Sequence, residues 1–481
     1  MTVDRQAVYD QLDPLLAKFS TDYHVPGLVF GVVADGRLSC VKPMGISNTG
    51  SGDLVTADSV FRIASMTKMV TALALLQLRD RRVLQFDELV EDIVPELNSL
   101  RYPTRDSRRL RVRDLLCHAS GFVTDDPWGD RQLDMSENQF SAFLAAGFPF
   151  ARAPGIGHEY SNVGYAILGR VIANKVRQPY DAYITEHILA PLAMASTGWE
   201  FRDIPSDRRA IGYSLITGEW VEEPAIGHGA FGAMGGLHTT ANDYAKFVAW
   251  LLSAWPPRDD PDGPILARSS IRELAQGDGF PVVWPRTNRS DPDQSDMARR
   301  YGLGIITVAD DALGPCLTHS GGLPGYGSNV LLLPERGLGL FLFANVTYPH
   351  PGTSATVREA ALALDRSQMF LPRRHEPLPE LRDANDAVRR IYSARDIQAG
   401  GDVLAMNFLL DRDADRWKNQ LEELYGALGA CSGDGNLVTD SAMSGIITYP
   451  CERGRLQARV LLAPTRPAKI QKLEFSVLPA T

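Results

Sequence analysis

Apolar residues recur at helical spacing over residues 4–22 (Val8, Leu12, Leu15, Leu16, Phe19) and stop ahead of Pro26, which predicts an amphipathic opening helix. Two β-branched and apolar runs follow, Gly27 to Ala34 and Leu38 to Pro43, joined by Asp35-Gly36, a dipeptide whose tolerance of positive φ suits a tight antiparallel turn. Much later, Ser328 to Leu333 and Leu338 to Asn345 flank Pro334-Glu335-Arg336-Gly337 in the same manner. Between the two hairpins the period is helical at 66–81, 114–117, 138–146, 162–176, 179–189 and 241–253. Residues 254–298 break the pattern. Pro256-Pro257, Asp259-Asp260-Pro261 and Ser290-Asp291-Pro292-Asp293 surround one short helical piece at 267–275, and the stretch reads as a long surface excursion.

The predicted fold is α+β: one mostly antiparallel sheet flanked by helices, with an inserted helical subdomain, over residues 1–370. A proline-bearing linker follows at 371–382, and a small α+β domain occupies 383–481. Within that domain the pattern predicts helix 384–394, strand 403–410, helix 413–427 and strand-like runs at 445–449, 455–463 and 469–477. In the run 455–463, Leu456, Ala458, Val460 and Leu462 alternate with Gln457, Arg459 and Leu461, so one apolar side needs cover. Either the helix at 413–427 supplies it, or the domain docks on the larger one and narrows a cleft there.

Composition narrows the function classes. With 44% hydrophobic and 22% charged residues in 481, the chain is neither disordered nor collagen-like. A formal charge of −9 gives no general attraction to phosphate backbones or anionic lipid, so neither nucleic acid nor membrane is an expected partner. The N-terminus lacks the charged-then-apolar pattern of an export signal, and the expectation is a cytoplasmic protein. Five scattered cysteines without a Cys-x-x-Cys pair argue against a disulfide framework or a zinc site, although Cys431 and Cys451 can still meet. No Gly-x-Ser-x-Gly, Walker or His-Glu-x-x-His motif occurs and no Gly-x-Gly-x-x-Gly follows a predicted strand, so no cofactor or metal is implied.

Two of the eight lysines stand three residues after a serine, in Ser39-Cys40-Val41-Lys42 and Ser65-Met66-Thr67-Lys68. On a strand, positions i and i+3 face opposite ways, which excludes the first pair; at the start of the apolar helix after Ser65 they share a face. A serine hydroxyl needs a base, and a lysine becomes one only when burial or charge lowers its pKa. Two further signals stand in order along the chain. One is His158-Glu159-Tyr160-Ser161-Asn162, the sole Tyr-x-Asn, before a helical run; the other is Thr318-His319-Ser320-Gly321-Gly322 ahead of the second hairpin.

With these motifs the chain resembles the serine β-lactamase and penicillin-binding-protein family over roughly residues 20–350, in the branch of class C β-lactamases, related esterases and D-aminopeptidases. Leu115 to Gly121, Pro191 to Met194 and Gly235 to Asp243 add to the resemblance. The resemblance implies Ser65 as the acylated nucleophile, Lys68 and Tyr160 sharing proton transfer, and Asn162, His319 and Gly321 binding substrate. It also implies an oxyanion hole from the backbone N–H groups of Ser65 and Gly322. Where class C enzymes carry Lys-Thr-Gly, this chain has His319, and an imidazole of ordinary pKa is only about one quarter charged at pH 7. A substrate carboxylate is therefore held less firmly. The expectation is a serine hydrolase acting on a small ester, amide or short peptide, an esterase or D-aminopeptidase-like peptidase; a β-lactamase or D-Ala-D-Ala carboxypeptidase is the alternative, and an idle scaffold the alternative of another class. His118 beside Cys117, the arginine run 101–113 and Asp411, Asp413 and Asp415 read as structural.

Overall fold

A computed structural model describes residues 4–276, 279–284, 297–371 and 376–479. Two compact units result, Met1–Leu371 and Pro372–Thr481.

The two hairpins of the first unit lie side by side. Gly27–Ala34 pairs with Leu338–Ala344 in antiparallel register, Phe30 opposite Leu342. Among the described residues the sheet has nine strands in the order Asp53–Leu54, Arg37–Asn48, Gly27–Ala34, Leu338–Ala344, Tyr326–Leu333, Gly314–Leu323, Ile306–Asp310, Met297–Tyr301, Pro281–Trp284. Every neighbouring pair is antiparallel. Its central strands are buried at every position because both faces are covered. Alternation sorts the residues: Leu28, Phe30, Val32, Leu340 and Leu342 face the terminal helices, whereas Val29, Val33, Phe341 and Phe343 face the helical insert.

Three expectations are corrected. The opening helix is broken into Arg5–Asp10 and Asp13–Asp22, because Pro14 fits the first turn of a helix but cannot continue one. The excursion is not all surface: Ile265, Leu266, Ile271 and Leu274 are buried, Gln77 Nε2 donates to Ile265 O at 2.7 Å, and Pro281–Trp284 and Met297–Tyr301 extend the sheet. Its segment 290–293 lies outside the described residues, as do 372–375 of the linker. Residues 379–382, placed in the linker, already belong to the helix Pro379–Ala394.

In the second unit a four-stranded antiparallel sheet (Asn436–Ser441, Ser444–Cys451, Gly454–Leu462, Ile470–Leu478) packs Leu456, Ala458, Val460 and Leu462 into one core with Pro379–Ala394 and Ala414–Leu428. The unit's own helices cover the alternating apolar face. The strand expected at 403–410 is absent: the segment forms a turn of 3-10 helix ending at Val403 and a short helix, Phe408–Asp411. Of its apolar run only Phe408 is buried, against Trp417, while Met406 and Leu410 stand in solvent. Cys431 and Cys451 form a disulfide. Asp413 caps the helix Ala414–Leu428 by accepting from Arg416 N. Among the described residues no helix is long and apolar enough to cross a membrane.

Candidate active site

The strand residues Phe61 and Arg62 lead into a 3-10 turn, Ala64–Met66, that continues as the helix Thr67–Asp80. Ala64 has φ +50°, a left-handed conformation that costs an L-residue about 1–2 kcal/mol and sharpens the bend just before Ser65. The helix is apolar and buried on all sides from Thr67 to Leu78, and Lys68, one turn after Ser65, is fully enclosed.

Lys68 Nζ has three partners, Ser65 Oγ at 2.9 Å, Asn162 Oδ1 at 2.7 Å and Met234 O at 2.8 Å. Two of these, an amide oxygen and a carbonyl, can only accept. When Lys68 is a neutral amine they hold its two protons and leave the lone pair directed at Ser65, which then donates. Burial drives the Lys68 pKa down to about 8, against the pull of the Asp126, Asp130 and Asp125 carboxylates. The shift from 10.5 corresponds to roughly 3 kcal/mol in favour of the amine. About a tenth of the protein then carries the free base at pH 7. If Lys68 is the base, kcat/KM rises about tenfold between pH 7 and pH 9, with an acid limb of apparent pKa near 8; a flat profile, measured with a substrate that does not titrate there, would contradict this assignment.

Tyr160 approaches from the turn ahead of the helix Asn162–Val176. It lines the cleft with Ser65, and Lys68 Nζ lies 4.8 Å from its ring centre. Burial, together with Tyr301 and Asp126, raises its pKa well above the usual phenol value, so it is a neutral phenol near pH 7. His118 holds this turn from beneath: its Nδ1 accepts from Ser161 N at 3.1 Å, and its ring packs 4.2 Å from that of Tyr160. The motif residues 115–121 thus support Tyr160 structurally. The Gly235-Gly236 motif does the same for the helix Thr67–Asp80, where Met234 O takes Lys68, Ala233 O takes the Thr71 hydroxyl and Leu237 N donates to Thr67 Oγ1.

Ser65, Tyr160 and Gly322 line one cleft of ≈ 700 Å³ with Asp126, Asp130, Tyr301 and His350. This volume suits a small organic substrate.

Of the three expected substrate contacts, His319 lines this cleft with Ser65, whereas Asn162 and Gly321 stand behind its lining. Asn162 is fully buried, with Oδ1 on Lys68 and Nδ2 on Asp126 Oδ1, so it orients the lysine from below the cleft. Gly321 is buried too; a Cβ there would stand 2.3 Å from Ile63 O, and its glycine allows the strand to press against the turn that carries Ser65. His319 is almost wholly enclosed. Its Nδ1 lies 2.6 Å from Ser320 O and must carry the proton, so Nε2 accepts from the Tyr301 hydroxyl at 2.8 Å. Burial, with Lys68 nearby, lowers its pKa to about 3, and the imidazole is uncharged at neutral pH. It is no partial cation for a carboxylate.

Tyr301, Asp126, Asp130, Tyr348 and His350 went unnoticed in the sequence. Tyr301 stands just past the excursion on the strand next to the sheet's edge, and the others sit in segments without periodicity, where side chains are presented by loops on a rigid frame. Burial, with Asp126 alongside, raises the Asp130 pKa to about 7, and its Oδ2 accepts from the Tyr348 hydroxyl at 2.8 Å.

A family model described as Beta-lactamase matches residues 12–365. The chain belongs to the beta-lactamase family. Protein flp of Staphylococcus aureus (strain MW2) is 26% identical over 342 residues, which are 70% of this chain and 63% of that protein. Beta-lactamase-like protein 4 of Dictyostelium discoideum is 27% identical over 367 residues, 70% of this chain and 61% of its own length. The chain therefore spans less than two thirds of these beta-lactamase relatives. In fold it is similar to the octameric penicillin-binding protein homologue from Pyrococcus abyssi, with a TM-score of 0.62 at 18% identity, covering 98% of this chain and 96% of that one.

Proposed function

We propose that this beta-lactamase-family protein hydrolyses an ester or amide through an acyl-enzyme on Ser65, and that its substrate presents a neutral or protonated amine to the cleft where a β-lactam would present a carboxylate. The arrangement of Lys68 carries the first part: two acceptor-only partners aim its lone pair at Ser65 Oγ, 2.9 Å away, with a pKa near neutrality. Ser65 Oγ attacks the carbonyl carbon as its proton passes to Lys68, and the resulting oxyanion takes the N–H groups of Ser65 and Gly322. Collapse breaks the bond to the leaving group, which takes a proton delivered by Tyr160 and Lys68. Water then attacks the acyl carbon, its proton returning by the same route, and Ser65 is released.

The second part rests on charge. His319 is uncharged, and the carboxyl groups of Asp126 and Asp130, the latter half-protonated near pH 7, line the cleft with Ser65 opposite the one charge of the Arg299 guanidinium. A cation there favours aminoacyl esters or amides with a free amine over carboxylate-bearing β-lactams and C-terminal peptides. An assay panel of p-nitrophenyl esters, D-alanine amides with free and acetylated amines, and nitrocefin tests this reading. Free-amine substrates are expected to exceed their acetylated counterparts about tenfold in kcat/KM, and Asp126→Asn to shrink that ratio, whatever it does to the absolute rate through Asn162. Equal rates for free and acetylated amines, or nitrocefin as the best substrate, would point back to the carboxylate-binding alternatives.

A further inference from the structure

The peptide that joins Gly321 to Gly322 has a side-chain partner on its carbonyl. His350 Nε2 lies 3.0 Å from Gly321 O, and since a carbonyl only accepts, this nitrogen bears the proton. The other ring nitrogen, Nδ1, is then the acceptor of the neutral ring, and the Thr353 hydroxyl donates to it at 2.9 Å. Thr353 is completely buried in the first turn of Gly352–Arg366, a helix packed on the sheet. The imidazole is thereby fixed in one tautomer by the scaffold.

A trans peptide is planar, and its C=O and N–H point in opposite directions. The Gly321–Gly322 bond is not among the cis peptides of the chain. A donor held on Gly321 O therefore fixes the direction of Gly322 N–H. Outside support is needed here for two reasons. Flanked by two glycines, this peptide has the widest choice of backbone angles of any. The strand also loses a neighbour at this point: Ile306–Asp310 pairs only as far as Thr318, so 319–323 are paired on the Tyr326–Leu333 side alone. The ring of Tyr348 lies against the same glycine, close enough that a Cβ on Gly322 would stand 2.7 Å from it.

We propose that His350, held by Thr353, is a positioning residue for the oxyanion hole: by donating to Gly321 O it aims the Gly322 N–H at the oxygen of the tetrahedral intermediate. This rests on the reading of Ser65 as the acylated nucleophile and of Gly322 N–H as an oxyanion donor.

Three variants of the full chain, His350→Ala, His350→Gln and Thr353→Val, test it with a hydrolysed ester and with a boronic acid that forms a tetrahedral adduct on Ser65. Deleting an oxyanion donor commonly costs about 10²–10³ in kcat, and misdirecting one costs less. His350→Ala is expected to lower kcat about 10–100-fold with KM little changed, and to weaken the boronic acid in the same proportion. The acid limb assigned to Lys68 stays where it is. His350→Gln retains an N–H donor and recovers most of the loss, which a merely space-filling role of the ring would not explain, and Thr353→Val gives an intermediate effect. Identical behaviour of the Ala and Gln variants, a change confined to KM, or unaltered boronic acid affinity would overturn the proposal. If the wild-type chain forms no adduct on Ser65 at all, the nucleophile reading itself fails; an adduct that forms equally well in every variant refutes only the role of His350.

Discussion

Ser65→Ala is expected to abolish covalent labelling by a fluorophosphonate and to lower kcat/KM by on the order of 10⁴–10⁶. The size follows because, among the described residues, no other hydroxyl is hydrogen-bonded to Lys68 Nζ. Ser65 Oγ is the hydroxyl that Lys68 Nζ reaches at 2.9 Å, and it lines the cleft beside Gly322 and Tyr160. Tyr160, whose hydroxyl-bearing ring lines the same cleft, stays a neutral phenol near pH 7. Folding should survive the change, because Lys68 keeps Asn162 Oδ1 and Met234 O as acceptors and the alanine occupies the same 3-10 turn. Intact-mass analysis reads the adduct and a melting curve reads the fold. A labelled Ser65→Ala protein with an unaltered melting temperature would place the nucleophile elsewhere.

The parts of this site that periodicity governs were legible in the sequence. Ser65 and Lys68 meet because i and i+3 share a helix face, whereas Ser39 and Lys42 diverge on their strand: Ser39 Oγ turns back to Ala34 O, and Lys42 pairs with Asp13. The two hairpins were legible for the same reason, since a buried two-sided strand is a short continuous apolar run bounded by turn residues. Tertiary context decided what was missed. The excursion looked solvated because it is rich in Pro and Asp, yet its helix Arg268–Glu273 packs against the helix Thr67–Asp80, with Ser270 Oγ donating to Asp80 Oδ2 at 2.6 Å, and the strand Met297–Tyr301 that it runs into delivers Tyr301 to the site. The apolar run at 403–410 looked like a strand, but composition over eight residues does not separate a strand from a short helix that leaves Leu409 and Leu410 exposed. His319 shows the limit for chemistry. An ordinary imidazole is partly charged at pH 7, and burial, with Lys68 nearby, makes this one neutral against the pull of its bond to Ser320 O.

Lys68→Met is expected to lower kcat/KM by about 10²–10⁴ and to remove the acid limb near pH 8, because the neutral phenol of Tyr160 cannot take over as base at that pH. The same substitution has a signature in stability. The folded-state pKa of Lys68 is depressed from 10.5 to about 8, so between those values the unfolded chain binds a proton that the folded chain has released. Stability attributable to Lys68 therefore rises with pH across that window, by at most roughly 3 kcal/mol, and below pH 8 the buried ammonium weighs against folding. Enclosed phenols such as Tyr160 and Tyr301, with pKa values well above 10, act in the opposite sense once the unfolded chain begins to lose their protons, so the gain is best read between pH 8 and pH 9.5. Wild-type protein should gain stability there relative to Lys68→Met in denaturant titrations. At pH 7 the variant escapes the cost of the buried charge but leaves Asn162 Oδ1 and Met234 O without a donor, each worth about 1–3 kcal/mol, and the two effects nearly cancel. A variant that loses turnover while keeping the wild-type slope of stability between pH 8 and pH 9.5 would mean that Lys68 does not titrate in the folded protein near pH 8, and that the group behind an acid limb there is another one.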